Sequence, residues 1–190
     1  MGMDVFIEPE FSKRSKQFEP DFIEAVKKRD NAKTKKEEKQ MQKEVYRIFY
    51  EMHRKYYFRT PYNSYGLQHW LQANIGEGYK NWGLSIFDID KDEVTDVEDI
   101  KEMLRIVNEW IEKTADLKTS VLWVDEFCKD YKKKGIKEVV TRIDNTEIKQ
   151  KLVRLYKKDT NYYKEWLNEL KEFLEDAVRL VANGSKLVIS

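Results

Sequence analysis

Asp88, Asp90, Asp92, Asp96 and Asp99 fall in one short acidic run. They match the spacing of positions 1, 3, 5, 9 and 12 of a calcium loop, where alternating oxygens converge on one cation. Glu93 stands where such a loop needs glycine for its sharp turn, and Asp99 where it needs a bidentate glutamate. The same residues also read as a strand ending in Asp-x-Asp. That would place Asp88 and Asp90, with Asp92 close by, on a divalent metal for phosphoryl transfer. A third reading holds no ligand at all, only a solvated acidic turn that runs into a helix cap. It is the preferred one, because the calcium pattern lacks its glycine and the phosphoryl-transfer pattern lacks a sheet to carry it.

The text Ile86-Phe87-Asp88-Ile89-Asp90 is similar to the metal-binding strand of archaeal and eukaryotic primase catalytic subunits. The resemblance covers only that short run, with no Ser-Gly-x-x-Gly-x-His stretch after it, so the family's function is not carried over.

His53 and His69 are the only histidines, and they lie on different predicted elements. Neither has a partner at the i+4 spacing of a helical metal site. His69 has Asn63, Ser64 and Tyr65 nearby in sequence, yet a Ser–His pair would need a nucleophile elbow and an orienting acid. Asn74-Ile-Gly-Glu-Gly-Tyr-Lys80 fails both the Walker A and the dinucleotide-loop patterns and reads as a turn. Acid-x-Lys triplets such as Asp116-Leu-Lys118 recur by chance in so charged a chain. The one cysteine, Cys128, excludes an internal disulfide and reads as a small buried hydrophobe. Nothing here calls for a cofactor.

Two stretches suit binding better than catalysis. Arg54, Lys55 and Arg59 interleave with Tyr56, Tyr57 and Phe58, and Lys80 follows. Cations that neutralise phosphates beside rings that stack on bases are the combination used for single-stranded nucleic acid. Around it, the segment from Tyr56 to Phe87 is aromatic, low in charge and punctuated by Gly66, Gly76, Gly78 and Gly83. Tyr62, Tyr65, Tyr79 and Trp82 in this segment are candidate anchors for a protein partner, since exposed Tyr and Trp bring large contact area at low entropy cost.

These residues must be held by a scaffold of 190 residues with a formal net charge of +1. That length suggests a single domain (1–190) able to bury a core unaided, and near-neutrality gives no global field for nucleic acid or membrane. No apolar run reaches membrane-spanning length and no secretory signal is visible, so a soluble cytoplasmic protein is the expectation. Charged residues make up 37%, as long surface helices would give.

Apolar residues recur every three or four positions in several segments. Pro20 suits the first turn of a helix carrying Phe22, Ile23 and Val26. Thr34 and Glu37 form a capping box before Met41, Val45, Ile48, Met52 and Tyr56. Residues 19–40 therefore read as a charged helical segment that projects. Thr60-Pro61 should stop the second helix, and Tyr65–Ala73 forms a short one. Thr95 and Glu98 suggest another capping box, opening a helix with Ile100, Leu104, Val107 and Ile111. Further helices are expected over 120–134, after Asn145-Thr146 with Ile148, Leu152 and Leu155, and from Asp159-Thr160 to a stop at Gly184. Residues 136–143 fit helix or strand.

The chain is thus expected to be mainly α, a compact bundle of about six helices. It leaves room for a small two- or three-stranded sheet (α+β) from the N-terminal segment, Leu84–Ile89 and Leu187–Ile189. Its expected role is that of a non-enzymatic inhibitor, adaptor or regulator acting through a protein partner. Nucleic-acid association is the alternative, and metal-dependent phosphoryl transfer the second alternative. The sequence carries no signal for oligomeric state.

Overall fold

Met3, Val5 and Ile7 are fully buried while Asp4, Phe6 and Glu8 are only partly so, a period of two that makes Gly2–Glu8 a strand, β1. The computed structural model describes residues 2–53, 55–61, 65–81, 83–87, 92–125, 139–144 and 149–190. In it β1 is an inner strand of an antiparallel sheet with β2 (Tyr57–Pro61), β9 (Lys186–Ile189) and β5 (Glu93–Val94), in the order β2-β1-β9-β5. Val5 lies opposite Phe58 on one side and Ile189 on the other.

The N-terminal and C-terminal segments thus pair as expected, but the third predicted strand does not join them. Leu84 belongs to a small hairpin of β3 (Tyr79–Lys80) and β4 (Gly83–Leu84). The chain then turns, with the Phe87 amide donating to the Leu84 carbonyl at 3.0 Å. Residues 88–91 lie outside the described residues. Gly78 permits the hairpin: its φ is +86°, and a Cβ there would sit 2.6 Å from the Leu71 Cβ.

Five helices are found among the described residues, where about six were expected, and the fold is α+β. They are α1 (Glu10–Asp30), α2 (Lys35–His53), α3 (Leu67–Ile75), α4 (Val97–Thr114) and α5 (Lys157–Val181). The Thr34 capping box forms: the Glu37 amide donates to Thr34 Oγ1 at 3.2 Å and the Thr34 amide to the Glu37 carboxylate at 3.1 Å. For α4 the cap is Asp96, which accepts from the Glu98 amide at 2.9 Å, rather than Thr95. Gly184, at φ +96°, follows the end of α5 as expected.

Helix α1 departs most from expectation, because it starts at Glu10 and runs through Pro20. An internal proline costs a helix bond. Here the first turn is anchored by Phe11, whose ring lies 5.0 Å from Phe6 and 5.8 Å from Tyr57, and that contact with the sheet holds the helix in place.

Two predicted helices are strands instead. Residues Ser120–Asp125 (β6) and Lys149–Leu155 (β8), with Val139–Asp144 (β7), form an antiparallel sheet in the order β6-β8-β7. Ser120, Leu122 and Val124 are buried and alternate with less buried neighbours, as do Val153 and Leu155. The apolar spacing at Leu152 and Leu155 satisfied a helical stripe, but β-branched residues at period two pair better once a partner strand is present. Residues 126–138 and 145–148 lie outside the described residues, Cys128 among them.

Helices α4 and α5 lay their stripes (Ile100, Val107 and Trp110; Leu167, Leu170, Leu174 and Ala177) into one core with β1 and Trp70. Each such large side chain contributes roughly 1.5–3 kcal/mol by leaving water. A separate small cluster of Ala25, Val45 and Ile48, with Phe18, Phe22 and Val26 against it, holds α1 to α2.

Asn74, near the end of α3, finishes the edge of β6. Its Nδ2 donates to the Val121 carbonyl at 2.7 Å and its Oδ1 accepts from the Val121 amide at 3.0 Å, as a neighbouring strand would. Asn74→Ala is expected to cost about 1–2 kcal/mol in urea denaturation, because both Val121 groups lose their partner. Asn74→Asp keeps the acceptor yet sets a carboxylate beside two carbonyls, and should be no better. Wild-type stability in both variants would refute the bridging role.

Candidate recognition site

Helix α2 is apolar on two faces. Met41, Val45, Ile48 and Met52 form one stripe, of which Val45 and Ile48 pack against α1. Tyr46, Phe49, Tyr50 and His53, at spacings of three, one and three, form a second stripe along another side. Tyr46 is 65% exposed, Tyr50 61% and Phe49 41%, large values for aromatic residues grouped on one helix. Contiguous exposed apolar area of this kind marks interaction surfaces.

The end of that second stripe is locked in place by ring contacts. His53 lies 3.9 Å from Phe49, 4.8 Å from Tyr57 and 5.3 Å from Phe11, centroid to centroid. Its Nδ1 is 2.7 Å from the Phe49 carbonyl, and burial lowers its pKa, which favours the neutral ring. The Tyr57 hydroxyl donates to the Asp4 carboxylate at 2.5 Å; burial and this bond push its pKa to about 12, so it stays protonated.

Between α2 and α5 these rings open onto a cleft of about 400 Å³. Phe58 and Phe173, both nearly buried and 5.9 Å apart, give it an apolar floor. Phe49, Tyr50, His53 and Tyr57 line one side. Glu169, Glu172 and Asp176 line the other, on the same face of α5 as Phe173. Lys55, in a left-handed turn at φ +74°, is the one lysine or arginine among the described lining residues.

Asp176 pairs with Arg179 at 2.6 Å, but among the described residues Glu169 and Glu172 have no ion-pair partner. The Glu169 carboxyl is held above its usual pKa, first by burial and then by its neighbours Glu172 and Glu165. A cation in the cleft would relieve that crowding.

Two of the four anchors expected from sequence fall among the described residues. Tyr65 and Tyr79 are half-buried rather than displayed. The Tyr65 carbonyl accepts from the Tyr163 hydroxyl at 3.0 Å, and the Tyr79 ring lies 4.9 Å from that of buried His69. Tyr62, Trp82, Arg54, Asp88 and Asp90 lie outside the described residues. Of the basic set, Lys55 borders the cleft, Arg59 pairs with Asp4 at 3.4 Å, and Lys80 is exposed on the β3 hairpin. Asp92 is exposed, and its carbonyl accepts from the Ile189 amide at 3.0 Å. No group of three or more metal-ligating side chains occurs among the described residues.

Both halves of the cleft had a sequence signal that reading one stripe per helix misses. Tyr46, Phe49, Tyr50 and His53 form a second periodic set on a helix already supplied with one. Glu165, Glu169, Glu172 and Asp176 recur at four, three and four residues beside the apolar stripe of α5.

Comparison with protein-family models, with curated proteins and with solved structures gives no match to any of them. Among the described residues, no helix is long and apolar enough to cross a membrane.

Proposed function

We propose that this chain is a recognition protein that docks a segment of a protein partner along the second face of α2 and into the cleft beside it. The observation that carries this reading is the exposed pair Tyr46 and Tyr50, beside Phe49, whose ring also meets Phe22 of α1 at 6.2 Å, on a helix whose other apolar face is already used against α1. Tyrosines in such a row give large contact area with few rotamers to immobilise, and a polar tip that tolerates water when unbound. The deep end of the cleft is rigid, because Phe58 and Phe173 belong to the main core. Recognition through α2 therefore needs little reordering of the scaffold. The nucleic-acid reading has less support here, since the carboxylates of α5 would repel phosphates at the place where the rings are exposed.

The test compares capture of partners from nuclease-treated native lysate by the wild-type chain and by Tyr46→Ala/Tyr50→Ala. Each ring at an interface centre is expected to contribute ~2 kcal/mol, so the double variant should lose captured protein almost completely. Both residues are exposed, so its melting temperature should stay within a few degrees. Undiminished capture by a normally folded double variant would sink this reading.

A further inference from the structure

The acidic side of the cleft has no counterpart in the packing of the fold. Among the described lining residues three carboxylates face one ammonium, and of the three only Asp176 has an ion-pair partner. We infer that the cleft between α2 and α5 receives an arginine side chain from the docked segment of the partner protein. This inference rests on the proposed docking at α2 and names the chemistry that the cleft selects.

The cleft offers a guanidinium two different contacts. Phe49, Tyr50, Tyr57 and the floor ring Phe173 offer aromatic surface to its flat faces, the arrangement of a cation–π contact. Glu169 and Glu172, one helical turn apart on α5, offer carboxylates to its edge. Lysine satisfies this combination less well. Its ammonium is a strongly hydrated point charge that gives up more water on entering an aromatic cleft and cannot present a planar fork. An anion is repelled by the same carboxylates. A purely apolar side chain would displace water from Glu169 and Glu172 and give them no partner in return.

The groups that face the site from the neighbouring elements do not cancel the acidic side. Helix α2 contributes His53, held neutral, and β2 contributes Tyr57, held protonated, so neither adds charge near neutrality. The turn contributes Lys55, which offsets one carboxylate and, among the described residues, leaves the acidic side in excess.

The experiment uses the full chain and three short fluorescent peptides of one Ser/Leu background, bearing arginine, lysine or citrulline at the same positions. Citrulline keeps the shape of arginine and removes its charge. The arginine peptide should bind about tenfold more tightly than the citrulline peptide, with lysine between them. Two-dimensional NMR should place its shift changes at Phe49, Tyr50, Lys55, Glu169, Glu172 and Phe173. Glu169→Gln/Glu172→Gln should erase the arginine preference and keep the melting temperature, since both side chains are exposed.

Equal binding of the three peptides, shifts away from the cleft, or an arginine preference that survives the double Gln variant would each overturn the inference. Failure here is separable from failure of docking at α2. Capture of a partner lost in Tyr46→Ala/Tyr50→Ala but intact in Glu169→Gln/Glu172→Gln would reject the arginine and keep the docking surface. The arginine peptide seated in the cleft, beside capture indifferent to both tyrosines, would reject the α2 surface.

Discussion

Trp70→Ala is expected to cost about 3–5 kcal/mol, a large share of the roughly 5–15 kcal/mol that holds a domain folded. Trp70 is fully buried, and its ring stacks on that of Tyr163 at 5.4 Å and 5°. Its indole Nε1 donates to Ser120 Oγ at 2.9 Å, and that oxygen lies 2.8 Å from Thr160 Oγ1. One side chain therefore ties α3 to the first residue of β6 and to the first turn of α5. Truncation leaves a ring-sized cavity and removes the donor to Ser120, so the two hydroxyls are left with each other in an apolar surround. Trp70→Phe separates the two losses. It refills much of the volume and keeps a ring over Tyr163, so about 1–2 kcal/mol should remain, chiefly the missing indole donor. Urea denaturation of the two variants beside wild type gives the comparison. A cost below about 1 kcal/mol for Trp70→Ala would mean that the three elements are held together elsewhere.

Acidification from pH 7 to pH 5 is expected to remove about 2 kcal/mol of stability through His69 alone. His69 is 6% exposed, and burial lowers its pKa to about 4 from an unfolded value of 6.5. The folded state thus binds the proton less readily than the unfolded chain. The neutral ring is fully accommodated above pH 6.5. Stability then falls as pH drops from 6.5 towards 4, by about 1.4 kcal/mol per unit, and levels off near 3 kcal/mol. His53, also shifted downwards, adds a smaller loss of the same sign. Glu169, shifted upwards, opposes it, because the folded state takes up that proton first. His69→Phe removes the titrating group and keeps an apolar-compatible ring beside Tyr79. Its stability should be nearly flat across the window in which wild type declines. A wild-type curve no steeper than that of His69→Phe would show that His69 titrates as it does in the unfolded chain and would overturn this prediction.

The sequence by itself determined whatever depends on neighbours along the chain. The Thr34–Glu37 box is a contact three residues long, so its letters suffice. The stripes of α2, α4 and α5 are legible because helical period sorts side chains onto one face before any partner is present. The alternation of Met3, Val5 and Ile7 likewise made the first segment a strand. Tertiary structure alone decided whatever depends on what lies across the gap. The three-residue spacing of Leu152 and Leu155 favours a helix, and the pairing of β8 between β6 and β7 imposed the strand. Pro20 reads as a helix start until Phe11 finds Phe6 and Tyr57 and draws the helix back to Glu10. Tyr46 and Tyr50 belong to a second periodic set that the sequence carries, and only the commitment of the other face to α1 leaves them uncovered. The cleft has the same origin. The rings that α2 and β2 supply lie more than a hundred residues from the carboxylates of α5, and no local pattern records that the fold of β1, β2 and α5 sets them face to face.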